Sequence, residues 1–376
     1  MSRVLLGLLL CLTLVGAHAE VRVLTSIKPL QLIAAAVQDG VGAPEVLLPP
    51  GASPHNFALR PSDVRRVQEV ELLYWIGPDM ESFLPRVLSN RSLPNVPVQN
   101  LPGLHLRHFG EEHEAESEHD DHDEHGHDEP AHGAADADAE HDHAHRPGSL
   151  DAHLWLLPAN ARVIAMRMAT DLSAADPANA ARYQANVQAF SQRLTALDQR
   201  LKARLAGVQG QAYFVFHEAF DYFEAAYGLK HAGVFSVASE VQPGARHVAQ
   251  MRERLQAAGP TCVFSEPPLR PRLAQTLSAG LPVTLAELDA LGSAVPVGAQ
   301  GYEQLLENLA GSLAGCLEAL WATLRRQRQR QVDLLPQQQA LAELVWVFDL
   351  HAQRRWLARG DQARQPEAQA GDAQHA

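Results

Sequence analysis

Three separated histidines and one dense histidine tract carry most of the chemistry this chain offers. His55 lies in "LLPPGASPHNFALRPSD", directly after a predicted strand and a Pro/Gly turn; His153 lies in "DAHLWL"; His217 ends the predicted strand in "YFVFHEAF". Neutral imidazole is a good ligand for Zn2+, and three imidazoles leave one tetrahedral position for water or a carboxylate. Asp289 in "LAELDALG", just past another predicted strand, is the candidate for that position, with Glu218, Glu240 and Glu266 as competitors. Taken singly, a histidine is more often a hydrogen-bonded structural residue than a ligand. Generic chemistry leaves both readings open.

The tract runs from 111 to 146, "EEHEAESEHDDHDEHGHDEPAHGAADADAEHDHAHR". His113, His119, His122, His125, His127, His132, His141, His143 and His145 supply many interchangeable ligands without a fixed geometry, which suits several weak metal sites. A solvated acidic linker is the alternative. With no aliphatic residue larger than alanine, the tract cannot offset its ordering entropy and is expected to be disordered without metal.

The elements that must position the three histidines are legible around them. "VRVLTSI", "APEVLLP" and "ELLYWIG" are strand-like runs followed by turns or amphipathic segments, the pattern of βα units in a mainly parallel sheet. After the tract, Asp176 is placed as an N-cap with Pro177 at the first helical position. Tyr183, Val187, Phe190, Leu194 and Leu197 then recur at helical spacing. Some 30 helical residues would reach roughly 45 Å, enough to run the length of a two-lobed protein. Alternation resumes with "AYFVFH", "AGVFSVA", "TCVFSE" and "PVTLAEL", with helices around 245–258 and 302–320. Ligands of open α/β sheets bind beyond the carboxyl ends of strands, so His55 and His217 can converge from two lobes. From 321 the texture changes to "RRQRQRQ" and "PQQQALAELVWVFDLHAQRRW", an extension read as an added docked helix or a basic amphipathic one for a membrane or partner.

Charge and cysteines narrow the setting. The formal net charge is −13, and the tract alone, with fifteen acids and one arginine, accounts for it. The nearly neutral remainder has no basic surface to argue for nucleic acid. Residues 1–19, "MSRVLLGLLLCLTLVGAHA", read as a secretory signal: one Arg, a short apolar run, then Ala17 and Ala19. Cys11 lies within that run, well before the cleavage position. The mature chain keeps Cys262 and Cys316, either a disulfide in an oxidising compartment or two buried thiols.

"LPPGASPHNFALRPSDVRRVQEVELLYWIGPDMESFL", "TSIKPL", "DAHLWLLPANAR", "YFVFHEAFDYFE", "SEVQPGA", "CVFSEPPLRP" and "ELDALG" together resemble the periplasmic zinc-binding proteins of ABC uptake transporters, the ZnuA type within the cluster A-I metal-binding family. The resemblance runs in order from about Val21 to about Leu317. It implies two α/β lobes joined by one long backbone helix, with metal in the interlobe cleft. His55, His153 and His217 fall on the family's ligand positions, and Asp289 on a cleft aspartate that ligates metal in several members. Manganese-binding relatives carry Glu where this chain has His217, and a third imidazole in place of a hard carboxylate favours zinc. The resemblance also implies a Cys262–Cys316 disulfide and, as partners, an inner-membrane ABC permease and through it an ATPase. Pro54 stands where some zinc members have an acidic residue, and the family pattern ends soon after Cys316.

The expected organisation is a signal peptide (1–19), a first lobe (20–110), the metal-gathering tract (111–146) and a return to the first lobe (147–157). Linking helices (158–207), a second lobe (208–320) and the extension (321–376) follow. The expected role is zinc capture in the periplasm by a monomer, with Mn, Fe or Ni as alternative ions. A secreted zinc hydrolase using Glu218 as general base is the reading from another class; no H-E-x-x-H helix supports it.

Overall fold

The computed structural model describes residues 20–110, 148–236, 244–267 and 272–362, with side chains described as far as 333. The signal segment, the tract, Glu240 and the end of the extension lie outside these residues.

The first lobe comprises β1 (Val23–Thr25), α1 (Lys28–Val37), β2 (Glu45–Val46), α2 (Pro61–Glu69), β3 (Leu72–Trp75), α3 (Pro85–Leu88) and β4 (Asn95–Pro97). Its sheet is parallel throughout, in the order β2-β1-β3-β4. Every residue of β1 and β3 is buried, so these strands are continuous apolar runs rather than alternating ones, as helices on both faces require. α1 begins with a proline in its first turn and buries nine residues from Pro29 to Val37. That burial makes it a core helix.

α4 (Pro158–Ala175) and α5 (Ala180–Leu205) follow. The long helix is shorter than its periodicity predicts. Pro177–Asn179 form a 3-10 turn and Asp176 does not cap the α-helix; its carboxylate instead accepts from Asn179 Nδ2 at 2.6 Å and the Tyr183 hydroxyl at 3.0 Å. α5 buries Tyr183, Val187, Phe190, Leu194, Leu197, Leu201 and Leu205, a stripe at three- and four-residue spacing. At about 1.5–3 kcal/mol for each buried large apolar side chain, this stripe is a major source of stability. Asn186 Nδ2 donates to the carbonyls of Val37 and Asp39 in the first lobe, while Arg193 reaches Glu303 at 2.5 Å and the Ala299 carbonyl at 2.7 Å. One helix is therefore tied to both lobes.

The second lobe comprises β5 (Tyr213–His217), α6 (Asp221–Tyr227), β6 (Gly233–Ser236), α7 (Ala245–Ala258), β7 (Thr261–Ser265), α8 (Arg272–Ser278) and β8 (Val283–Glu287). Its sheet is again parallel, in the order β6-β5-β7-β8. α9 (Gly301–Gln362) continues well beyond the expected end near 320. The chain divides into two compact units at Glu318, and the second, Ala319–Ala376, contains the rest of this helix. Within the first unit a disulfide joins Cys262 on β7 to Cys316 on α9. No described helix is long and apolar enough to cross a membrane.

Candidate metal centre

Each of the three histidines is delivered by a different local device. β2 runs into Pro49, Pro50 and Gly51, whose φ of 79° turns the chain so that His55 reaches the cleft on a loop. The His55 amide is held by Ser53 Oγ at 3.3 Å. His217 is the last residue of β5, where a fully buried strand ends at the carboxyl edge of its sheet.

His153 sits on the segment that follows the tract. This segment pairs with the one before it: an antiparallel bridge joins His108 to Leu150, with Phe109 N donating to the Ser149 carbonyl and Asp151 N to the Arg107 carbonyl. Fully buried Trp155 then donates Nε1–H to the Ala290 carbonyl at 2.9 Å, and Tyr302 donates to the Trp155 carbonyl at 2.6 Å. His153 is thus fixed from both sides of the cleft.

The three imidazoles meet. Ring centroids are 5.1–5.3 Å apart pairwise, His55 Nε2 lies 3.3 Å from His153 Nε2, and one nitrogen from each ring falls within 4.8 Å of the others. Such a cluster can hold a metal ion. His153 and His217 are only 2% and 3% exposed. Each turns Nδ1 to a carboxylate, His153 to Asp151 at 2.8 Å and His217 to Glu266 at 2.7 Å, which fixes the rings with Nε2 toward the cleft.

Electrostatics favour neutral rings. Burial above all, and then the nearby His217, lowers the His153 pKa well below the ordinary imidazole value, so it stays unprotonated and ligand-competent. Burial also raises Asp151 to about 7, against the pull of its backbone hydrogen bond from His153. A divalent cation on the rings would favour the ionised carboxylate.

Asp289 is not one of the clustered ligands. In the turn after β8 its two oxygens accept from the amides of Leu291 at 3.1 Å and Ser293 at 2.7 Å. Of its competitors, Glu266 orients His217 and Glu218 belongs to a different group of side chains. The residue-by-residue reading missed Asp151, although the spacing Asp-x-His, with the His153 amide also donating to Asp151 at 3.0 Å, is a signal for an Asx turn. Asp151→Asn should weaken zinc binding by roughly 10- to 100-fold, read by competition titration, while leaving the circular-dichroism spectrum unchanged. An unchanged affinity would show that the carboxylate does not tune the ring.

Two parallel α/β lobes bridged by one helix, with clustered imidazoles between them, are the build of a cleft-type solute-binding protein. Residues 23–316 match the family model of the periplasmic component A of the zinc-uptake complex, ZnuA, and the chain belongs to that family. It is 37% identical over 309 residues to the high-affinity zinc uptake system protein ZnuA of Yersinia pestis, covering 80% of this chain and 92% of that one. With the corresponding protein of Brucella abortus it is 38% identical over 304 residues, covering 78% and 91%. Among solved structures, a zinc-bound ZnuA deletion mutant shares the fold at a TM-score of 0.61 and 21% identity, covering 79% of this chain and 97% of that one. The Mn2+ complex of FpvC from Pseudomonas aeruginosa gives 0.62 at 20% identity, covering 80% and 99%.

Proposed function

We propose that this chain captures Zn2+ in the periplasm through His55, His153 and His217 and delivers it to an inner-membrane ABC permease and its ATPase. The observation that carries this reading is the convergence of three imidazoles from three separate segments on one point between the lobes. A set dominated by three imidazoles suits zinc better than manganese or iron, whose hard ions favour carboxylates. Asp289 keeps its proposed role as fourth ligand through lone pairs its two amide bonds leave over, with water as the other occupant. We read the chain as a binding protein rather than an enzyme: Glu218, the base a hydrolase would need, is directed to a separate cluster.

The tract follows as a collector. Its flanks are Gly110 and Gly148, the latter five residues before His153, so an ion gathered by the tract has a short route along the chain to a ligand. Calorimetric titration of the mature chain, with and without 111–146, tests both statements. Deletion should lower zinc stoichiometry and leave one tight site that zinc wins over manganese by orders of magnitude. Loss of the tight site on deletion would move the selective site into the tract, and parity between the metals would remove zinc as the cargo.

A further inference from the structure

Outside the three histidines a second group of ligating side chains is assembled in the second lobe. One ligand atom each from Glu218, Asp221 and His231 lies within 4.8 Å of the others. Glu218 follows β5, Asp221 opens α6, and His231 lies on the loop that returns to β6 after the left-handed Gly228 ends the helix. Glu224, one turn along α6 from Asp221, joins them: its Oε2 is 2.9 Å from His231 Nδ1, and Asp221 Oδ1 is 3.8 Å from the same nitrogen. The imidazole and the carboxylates of Asp221 and Glu224 are only 14%, 22% and 4% exposed.

An ion pair between His231 and Glu224 would need one carboxylate. Two more face the same imidazole, and the charge of Asp151 reaches both Glu218 and Asp221. Negative charge this concentrated and this poorly solvated calls for a cation. Burial opposes a charge on His231, but the Glu224 hydrogen bond and the field of the three acids prevail and raise its pKa to about 9. Burial, with the charges of Glu224 and Asp151, raises Asp221 to about 7.

We propose that Glu218, Asp221 and His231 form a second divalent-cation site, distinct from the cleft, with Glu224 as a further carboxylate against the imidazole. One nitrogen and several oxygens make a harder donor set than three imidazoles, so this site discriminates less between zinc and manganese.

Crystals of the mature chain soaked in zinc chloride, measured on either side of the zinc absorption edge, test this. Two anomalous peaks are expected, one among His55, His153 and His217 and one at Glu218, Asp221 and His231. The second should vanish in His231→Ala crystals while the first persists. Absence of the second peak in the unaltered chain, or its survival in His231→Ala, overturns the proposal. In solution, the labelled imidazole resonance of His231, assigned by its loss in that variant, should shift on adding zinc; a resonance that stays fixed at saturating zinc also overturns it.

Discussion

His217→Ala should weaken zinc binding more than a hundredfold while the protein stays folded. Structural zinc sites are worth about 10–16 kcal/mol, so each of four ligands carries roughly 3 kcal/mol, and that difference exceeds two decades in Kd. The loss follows from removing one of three converging imidazoles. Glu266 has its Oε1 on this imidazole. Truncation also leaves Glu266 without its hydrogen-bond partner, a further cost. Competition titration with a chromophoric chelator measures the effect, and His55→Ala should behave alike. A loss of less than tenfold would mean the ring is not a ligand and that its place at the strand end is structural.

Replacing both Cys262 and Cys316 by serine should lower stability by about 4 kcal/mol, the chain-entropy value for a loop of this length. The bond closes 54 residues and ties β7 to α9, so it restrains the half of the second lobe that holds β8 and the Asp289 turn. At roughly 2–4 °C per kcal/mol for a chain of this size, Tm should fall by about 10 °C. Calorimetry of the oxidised and serine forms gives the number. Zinc affinity should change far less than in the histidine variants, because His55, His153 and His217 all lie outside the closed loop and only Glu266 and the Asp289 turn lie within it. A large affinity loss at unchanged Tm would reverse that division of labour.

Much of this was written in the sequence, and the parts that were not have physical reasons. β1, β3, β5 and β7 were legible because both faces of a parallel strand are buried and so read as apolar runs. β4 was not, since "NVP" has neither length nor pattern, and only its register against β3 makes it a strand. The start of α5 was misplaced because Asp-Pro is an equally good opening for a 3-10 turn, and Asp176 uses its carboxylate on Asn179 and Tyr183 instead.

The three histidines were individually ambiguous, and family resemblance made them a set. Their orienting carboxylates were hidden for different reasons. Glu266 is 49 residues from His217, and becomes its neighbour because β5 and β7 pair with Val215 opposite Phe264, which carries the register to 217 and 266. Asp151 was near in sequence, but its role depends on a turn only the folded chain reveals. The His231 cluster was invisible because nothing in "GLKHAG" says that the loop folds back over α6.

The paired segments at Arg107–Phe109 and Ser149–Asp151 act as a socket. Their ends are fixed to each other, so whatever is spliced between them adds closure entropy only logarithmically, about 0.6 kcal/mol for each doubling in length. Insert length and histidine count can therefore vary widely without disturbing the cleft. Capacity for gathering metal and selectivity for metal become independently adjustable traits, and a foreign segment grafted at the same junction should be carried by the fold as readily as the native one.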